Sequence, residues 1–138
     1  MIIMVMDGQG GGFGATIIKG LMKIITDNTD IWALGTNSVA TSRMMKAGAN
    51  KGATGENAIL HTSPKVDLII GPLAILIPNA MMGEVTPKMA AAVASSEAKK
   101  VLIPLNQEKV QIVGISGEPL PHLVEQVVQK IKEMINHV

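Results

Sequence analysis

The sequence predicts an α/β domain built on an open, mainly parallel, doubly wound sheet of about five strands with flanking helices. Three observations carry this. Short apolar runs alternate with amphipathic runs along the chain, the pattern of parallel strands joined by crossover helices. The first apolar run ends in Asp7 and then five glycines within positions 8–14, after which a helical period begins. Later runs also end in small or polar residues, at 35–38, 71–72 and 106, and ligands in such sheets bind outside the carboxyl ends of the strands. The 138 residues read as one Rossmann-like nucleotide-binding domain spanning 1–138, long enough to bury a core.

Residues 2–6 are apolar without alternation, as a buried central strand should be. From Gly14 or Ala15 to about Ile25, apolar side chains recur at Ile17, Ile18, Leu21, Met22 and Ile25, which is one face of a helix. Residues 27–30 (Asp-Asn-Thr-Asp) stop it, and 31–34 form the second strand. A second helix starts near Ser38 and runs to about Ala47. Residues 48–57 are small, polar and glycine-rich and read as a loop, with 58–61 a short strand or turn. The third strand is 66–70, and 74–77 reads either as a strand or as a helical turn. Thr86-Pro87 places an N-cap threonine before a proline in the first helical position, starting an alanine-rich helix that runs to about Ser96. Strands at 100–105 and 110–113 follow. A last helix at 120–136 carries Leu123, Val124, Val127, Val128, Ile131 and Ile135 on its apolar side.

Composition narrows the function classes. A net charge of +1, with Arg43 the only arginine and the lysines scattered, gives no footprint for nucleic acid. The chain has no cysteine, so disulfides, thiolate metal sites and cysteine nucleophiles are excluded. His61, His122 and His137 lie far apart and no residues show a metal-ligand spacing, so no metal site is expected. Phe13 and Trp32 are the only aromatic residues; the ten methionines act as adaptable core fillers, the pairs 44–45 and 81–82 either as core or as subunit interface. The first six residues are too few for a signal peptide, and the apolar stretch 68–82 is broken by Pro72, Pro78 and Asn79. The expectation is a cytoplasmic protein that does not engage membrane.

The glycine turn carries the chemistry. Glycine lets the backbone approach a ligand closely, and the free N–H groups and dipole of the helix that follows favour an anion. The candidate phosphate cradle is Asp7, Gly8, Gln9, Gly10, Gly11, Gly12, Phe13 and Gly14. The dinucleotide spacing Gly-x-Gly-x-x-Gly/Ala fits Gly10, Gly12 and Ala15. The spacing seen in short-chain dehydrogenases fits Gly8, Gly12 and Gly14, but their catalytic tyrosine has no counterpart in a chain without Tyr. A nucleotide-ATPase pattern fits Gly11, Gly12, Gly14 and Thr16 but has Gly10 and Ala15 in place of its lysines, which argues against that kind of hydrolysis.

Thr36, Asn37 and Ser38 close the second strand, with Arg43 a turn further on. Neutral hydroxyl and amide groups plus one arginine suit a 2′-phosphate better than a bare ribose diol, so NADP or another phosphorylated nucleotide is the expected cofactor. Gly71, Pro72 and Asn106 complete the set at the other strand ends. Thr54, Gly55, Glu56 and Asn57 form either a second recognition loop or an ordinary turn in which Thr54 caps a short helix. Asp7 either caps the turn or meets ribose, a base edge or Mg²⁺. Glu56 and Glu84 are the carboxylates available for acid–base or metal work, though no second ligand stands at a diagnostic spacing, and no catalytic residue is named by any spacing.

Several segments resemble one family: Asp-Gly-Gln-Gly-Gly-Gly-x-Gly at 7–14, Ala-Leu-Gly-Thr-Asn-Ser at 33–38, Gly-Ala-Thr-Gly-Glu-Asn at 52–57, Gly-Glu-Val-Thr-Pro-Lys-Met at 83–89, Leu-Ile-Pro-Leu-Asn at 102–106 and Glu-Pro-Leu-Pro-His-Leu at 118–123. The chain is similar along its whole length to a small uncharacterised bacterial family, a domain of unknown function found mainly in clostridia-like anaerobes. The resemblance implies a cytoplasmic Rossmann-like domain and brings no established activity. Lysine often stands in that family where this chain has Ala15, so no phosphate role for that lysine carries over. A fainter similarity is to the nucleotide-binding half of tubulin-like GTPases, whose later glycine-rich signature is missing here.

Two functions follow as expectations. One is a nucleotide- or dinucleotide-binding module that takes a small phosphorylated ligand. The other is a small oligomeric scaffold or regulatory protein with a vestigial or non-nucleotide anion site, in which the apolar segment 73–82 forms the interface of a homo-oligomer.

Overall fold

The computed structural model describes residues 1–104, 109–115 and 117–136. Five strands form one parallel sheet: β1 (Ile2–Asp7), β2 (Asp30–Gly35), β3 (Lys51–Thr54), β4 (Leu68–Pro72) and β5 (Lys99–Ile103). Their order is β3-β2-β1-β4-β5, so the sheet grows outward from β1 in one direction and then from β1 in the other. The fold is an α/β, Rossmann-like sheet, and its topological switch point lies between β1 and β4.

β1 is central and alternates its burial between two cores. Ile3 and Val5 pack with α1 (Gly12–Leu21), α2 (Ser38–Ala47) and α5 (Leu120–Asn136) through Ile17, Ile18, Leu21, Met44 and Ile131. Met4 and Met6 face the other side, under α3 (Glu56–Thr62) and α4 (Pro87–Ser95), with Ile59, Ile75, Met89 and Val93. A strand buried on both faces has to be apolar throughout, which explains the first six residues. No helix among the described residues is long and apolar enough to cross a membrane.

Several elements depart from the sequence expectations. Residues 51–54, expected as loop, are the edge strand β3, exposed along its length and held by pairing Lys51 to Trp32 through Thr54 to Gly35. Residues 58–61, expected as a strand or turn, belong to α3. The expected strand at 110–113 does not form; these residues are irregular, and Val113 is 94% exposed. Branched side chains give strand propensity, but no neighbouring strand accepts them. Gly71 and Pro72 lie within β4, paired with Leu102 and Ile103. The apolar run that follows begins with a 3₁₀ helix, Leu73–Leu76. The alanine-rich helix starts as expected, with the Thr86 side chain accepting the Met89 N–H at 3.1 Å.

The methionine pairs each split between core and surface. Met44 and Met81 are buried, whereas Met45 and Met82 are exposed. Most of the 73–82 segment expected at an interface is spent on the chain's own core, through Ala74, Ile75, Ala80 and Met81; Met82 is 99% exposed.

Candidate functional site

β1 delivers Asp7 to the carboxyl edge of the sheet, where the chain turns through Gly8–Gly11 into α1. Asp7 is 1% exposed, and its two oxygens accept the N–H groups of Gly8 and Gly14, each at 2.8 Å. Burial raises its pKa above the usual carboxylate value, opposed by hydrogen bonds from Gly14, Gly8 and Phe13; the Glu84 charge adds to the rise. Asp7 is therefore an internal brace of the turn, the capping alternative among those the sequence left open.

The five glycines of the turn divide into two groups. A Cβ on Gly8 would lie 2.5 Å from Thr36 Oγ1 and 2.6 Å from Met81 Sδ; one on Gly14 would lie 2.4 Å from Met44 Sδ. Gly11 has φ +74°, and its Cβ would lie 2.8 Å from the Cα of Ala40 in α2. These three glycines are required by packing and backbone conformation. Gly10 and Gly12 are different: nothing lies within 3.4 Å of either Cβ position, and the nearest atom to both is Nη1 of Arg43. The Gly8 and Gly14 N–H groups bond Asp7, that of Gln9 bonds Glu84 and that of Gly11 bonds the Gly8 carbonyl. The N–H groups of Gly10 and Gly12 have no partner among the described residues.

The open pair faces a cleft of about 290 Å³, whose walls include Gln9, Phe13, Thr16, Arg43, Met81 and Leu120. Met81 and Leu120 were not among the sequence candidates, and nothing in their types marks them; they arrive from the β4–α4 connection and the start of α5. Thr16, from α1, entered the sequence reading only as the threonine of the nucleotide-ATPase pattern. Arg43 reaches the turn from α2, donating from Nη1 to the Gly10 carbonyl at 3.3 Å. Anions are favoured here by the α1 N-terminus, the open N–H groups and the guanidinium together.

The end of β2 is organised by a carboxylate from far along the chain. Glu84 Oε1 accepts the Gln9 N–H at 2.8 Å, the Thr36 hydroxyl at 2.7 Å and the Asn37 amide at 2.7 Å. Partial burial acts to raise its pKa, but the hydrogen bonds from Gln9, Thr36 and Asn37 outweigh it and hold the carboxyl below its usual value. Asn37 also caps α2, accepting the Ala40 N–H at 2.9 Å, and donates to the Gln9 carbonyl at 3.0 Å. The turn that presents Glu84 is unusual. Asn79, Met81 and Met82 have φ of 66°, 56° and 57°, followed by Gly83 at 92°. Each methionine in the left-handed region costs about 1–2 kcal/mol. The turn is closed by hydrogen bonds from Asn79 N–H to the Val85 carbonyl at 2.7 Å and from Val85 N–H to the Ala80 carbonyl at 3.1 Å.

The remaining candidates lie elsewhere. Ser38 is exposed on the outer side of α2 beside Ser42, Arg43 and Lys46. Gly71 and Pro72 are buried in β4, Gly71 against the Met6 carbonyl. Asn106 and His137 lie outside the described residues. Thr54 bonds Thr41 across 2.7 Å and caps no helix: the N-cap of α3 is Gly55, without a side-chain bond. Thr54 ends the edge strand β3, Gly55, Glu56 and Asn57 lead into α3, and none of the four lines the cleft. His122 pairs with Glu118 at 3.1 Å on the exposed start of α5.

The strand order, the switch point and the glycine turn at α1 define a Rossmann-like α/β protein. The chain belongs to the DUF3842 family, described as a domain of unknown function, which matches residues 2–136. No curated protein matches the sequence. Among solved structures it is similar to apo saccharopine dehydrogenase (L-Glu forming) from Saccharomyces cerevisiae, at 18% identity and a TM-score of 0.41. That likeness covers 67% of this chain and 20% of the enzyme, so the chain spans about a fifth of the enzyme's length, and nothing about activity follows from it.

Proposed function

We propose that this chain binds a nucleotide or dinucleotide, with a phosphate held outside the glycine turn by the Gly10 and Gly12 N–H groups and Arg43. The observation that carries this is the division of the glycines. Gly8, Gly11 and Gly14 are explained by packing and backbone conformation, whereas Gly10 and Gly12 have no such need and present unpartnered donors to a cleft. A residue with any Cβ would crowd a phosphate approaching those donors, and glycine does not. Asp7 stays beneath the turn and does not compete, because both its oxygens are spent on Gly8 and Gly14. The phosphate would meet the turn from the solvent side, and the rest of the ligand would extend toward Thr36 and Asn37 at the end of β2 or toward the β4 edge.

The test is a thermal-shift panel with NAD(H), NADP(H), ATP, GTP, FMN, coenzyme A and inorganic phosphate, with and without Mg²⁺. A ligand at about a hundred times its Kd adds roughly 2.7 kcal/mol to stability. The variant Gly12→Val should fold normally, since its Cβ would sit 3.5 Å from a movable guanidinium, and should lose the shift. A nucleotide shift that survives Gly12→Val unchanged would remove the phosphate from the turn. A panel with no shift favours the scaffold assignment, whose support is the fully exposed Met82, and makes oligomeric state the next quantity to measure.

A further inference from the structure

The sequence of β2 ends without the acidic residue that reads ribose hydroxyls in many dinucleotide sites, and Thr36-Asn37-Ser38 stands in its place. The fold supplies a carboxylate there from another direction. The connection from β4 to α4 carries Glu84 over to the turn and sets Oε1 on the Thr36 hydroxyl and the Asn37 amide, 48 and 47 residues away in sequence. Resting on the nucleotide reading above, we propose that Glu84 determines which ribose the site accepts: its second oxygen, Oε2, accepts the 2′- and 3′-hydroxyls of an unphosphorylated ribose, and its charge excludes a 2′-phosphate.

Four observations converge on this assignment. First, the Glu84 carboxylate lies against Thr36 and Asn37 at the end of β2, the place in such sheets where the ribose-reading acid is found, although it comes from the β4–α4 connection. Second, Oε1 is fixed by three donors while Oε2 has no hydrogen bond among the described residues, leaving a positioned acceptor. Third, the Thr36 and Asn37 donors that the sequence offered to a 2′-phosphate are already engaged by a carboxylate, and a second anion beside it is repelled. Fourth, two consecutive methionines are held in the left-handed region within the turn that carries Glu84. Strain of this kind persists where a fixed geometry is needed, and it gathers at ligand sites. The lowered pKa of Glu84 keeps the carboxylate charged near neutral pH. Arg43, which the sequence offered to a 2′-phosphate, instead bonds the Gly10 carbonyl on the phosphate side of the turn.

A purely structural clasp between the β4–α4 turn and the glycine turn would explain the same hydrogen bonds, and binding measurements separate the two roles. Calorimetry is run on the full chain and on Glu84→Gln with 5′-AMP and adenosine 2′,5′-bisphosphate, which differ by the 2′-phosphate alone. Gln retains an oxygen for the Gln9, Thr36 and Asn37 donors but replaces Oε2 with an N–H₂ donor. The wild type should prefer 5′-AMP, and the variant should shift the affinity ratio toward the bisphosphate by tenfold or more. An unchanged ratio, with both ligands weakened alike, overturns the proposal in favour of the clasp and leaves the nucleotide reading intact. A wild-type preference for the bisphosphate also overturns it. Binding of neither adenosine ligand overturns it too, while the nucleotide reading is judged separately by the wider panel and Gly12→Val.

Discussion

Alanine placed in turn at Gly11 and Gly12 tests the division of the glycine turn at adjacent positions. Gly11 has φ +74°, a region that costs an L-residue about 1–2 kcal/mol. The new Cβ would also sit 2.8 Å from Ala40 Cα and 3.0 Å from the Ala40 carbonyl oxygen. Those are backbone atoms of α2, so relief requires α1 and α2 to separate, an overpacking cost of about 1–3 kcal/mol. The two terms sum to about 2–5 kcal/mol. Gly12 is the first residue of α1, and nothing lies closer to its Cβ position than Arg43 Nη1 at 3.5 Å. There alanine restricts the unfolded chain without native strain, a change of about 0.4–1 kcal/mol in favour of folding. Urea unfolding of the two variants should differ by about 2.4–6 kcal/mol, and thermal midpoints by roughly ten degrees or more. Equal midpoints would refute the packing assignment of Gly11 and with it the argument that singles out Gly10 and Gly12.

Arg43→Ala should leave stability within about 0.5 kcal/mol, because the side chain is exposed and makes one long hydrogen bond. A nucleotide that binds wild type should lose about tenfold to a hundredfold in affinity by calorimetry, the worth of a charge-assisted hydrogen bond. The two carboxylates should give opposite pH dependences in urea unfolding. The folded-state pKa of Asp7 lies above 3.8, so wild type should gain stability relative to Asp7→Asn as pH falls through that value toward 3.8. The folded-state pKa of Glu84 lies below 4.5, so its contribution relative to Glu84→Gln is full above 4.5 and lost as pH falls through the folded value. Slopes of the same sign for the two pairs would contradict the environments described.

The α/β class, the central β1, the helices at 38–47, 87–95 and 120–136 and the capped start at Thr86 were all legible, because each rests on a strong local period or a cap. β3 was not, because Lys51-Gly52-Ala53-Thr54 is an exposed edge set by its pairing with β2 and by contacts from α2 such as Thr41 to Thr54, and neither leaves a trace in composition. Residues 110–113 show the converse, propensity without a partner. The glycine turn was visible as a single block, yet the different demands on Gly11 and Gly12 depend on where α2 and Arg43 lie in space. Glu84 was visible as one of two isolated carboxylates. Its place at Thr36 and Asn37 could not be read from a sequence separation of 47–48 residues, and the strained turn that puts it there carries no glycine at Met81 or Met82 to announce it.

The most direct test of the central claim is the amide spectrum of the ¹⁵N-labelled chain, recorded with and without each nucleotide of the panel. A phosphate held outside the turn should move the Gly10 and Gly12 N–H resonances strongly while those of Gly8 and Gly14, bonded to Asp7, stay nearly in place. Saturable binding that leaves Gly10 and Gly12 unmoved, or that shifts Gly8 and Gly14 instead, would contradict the account.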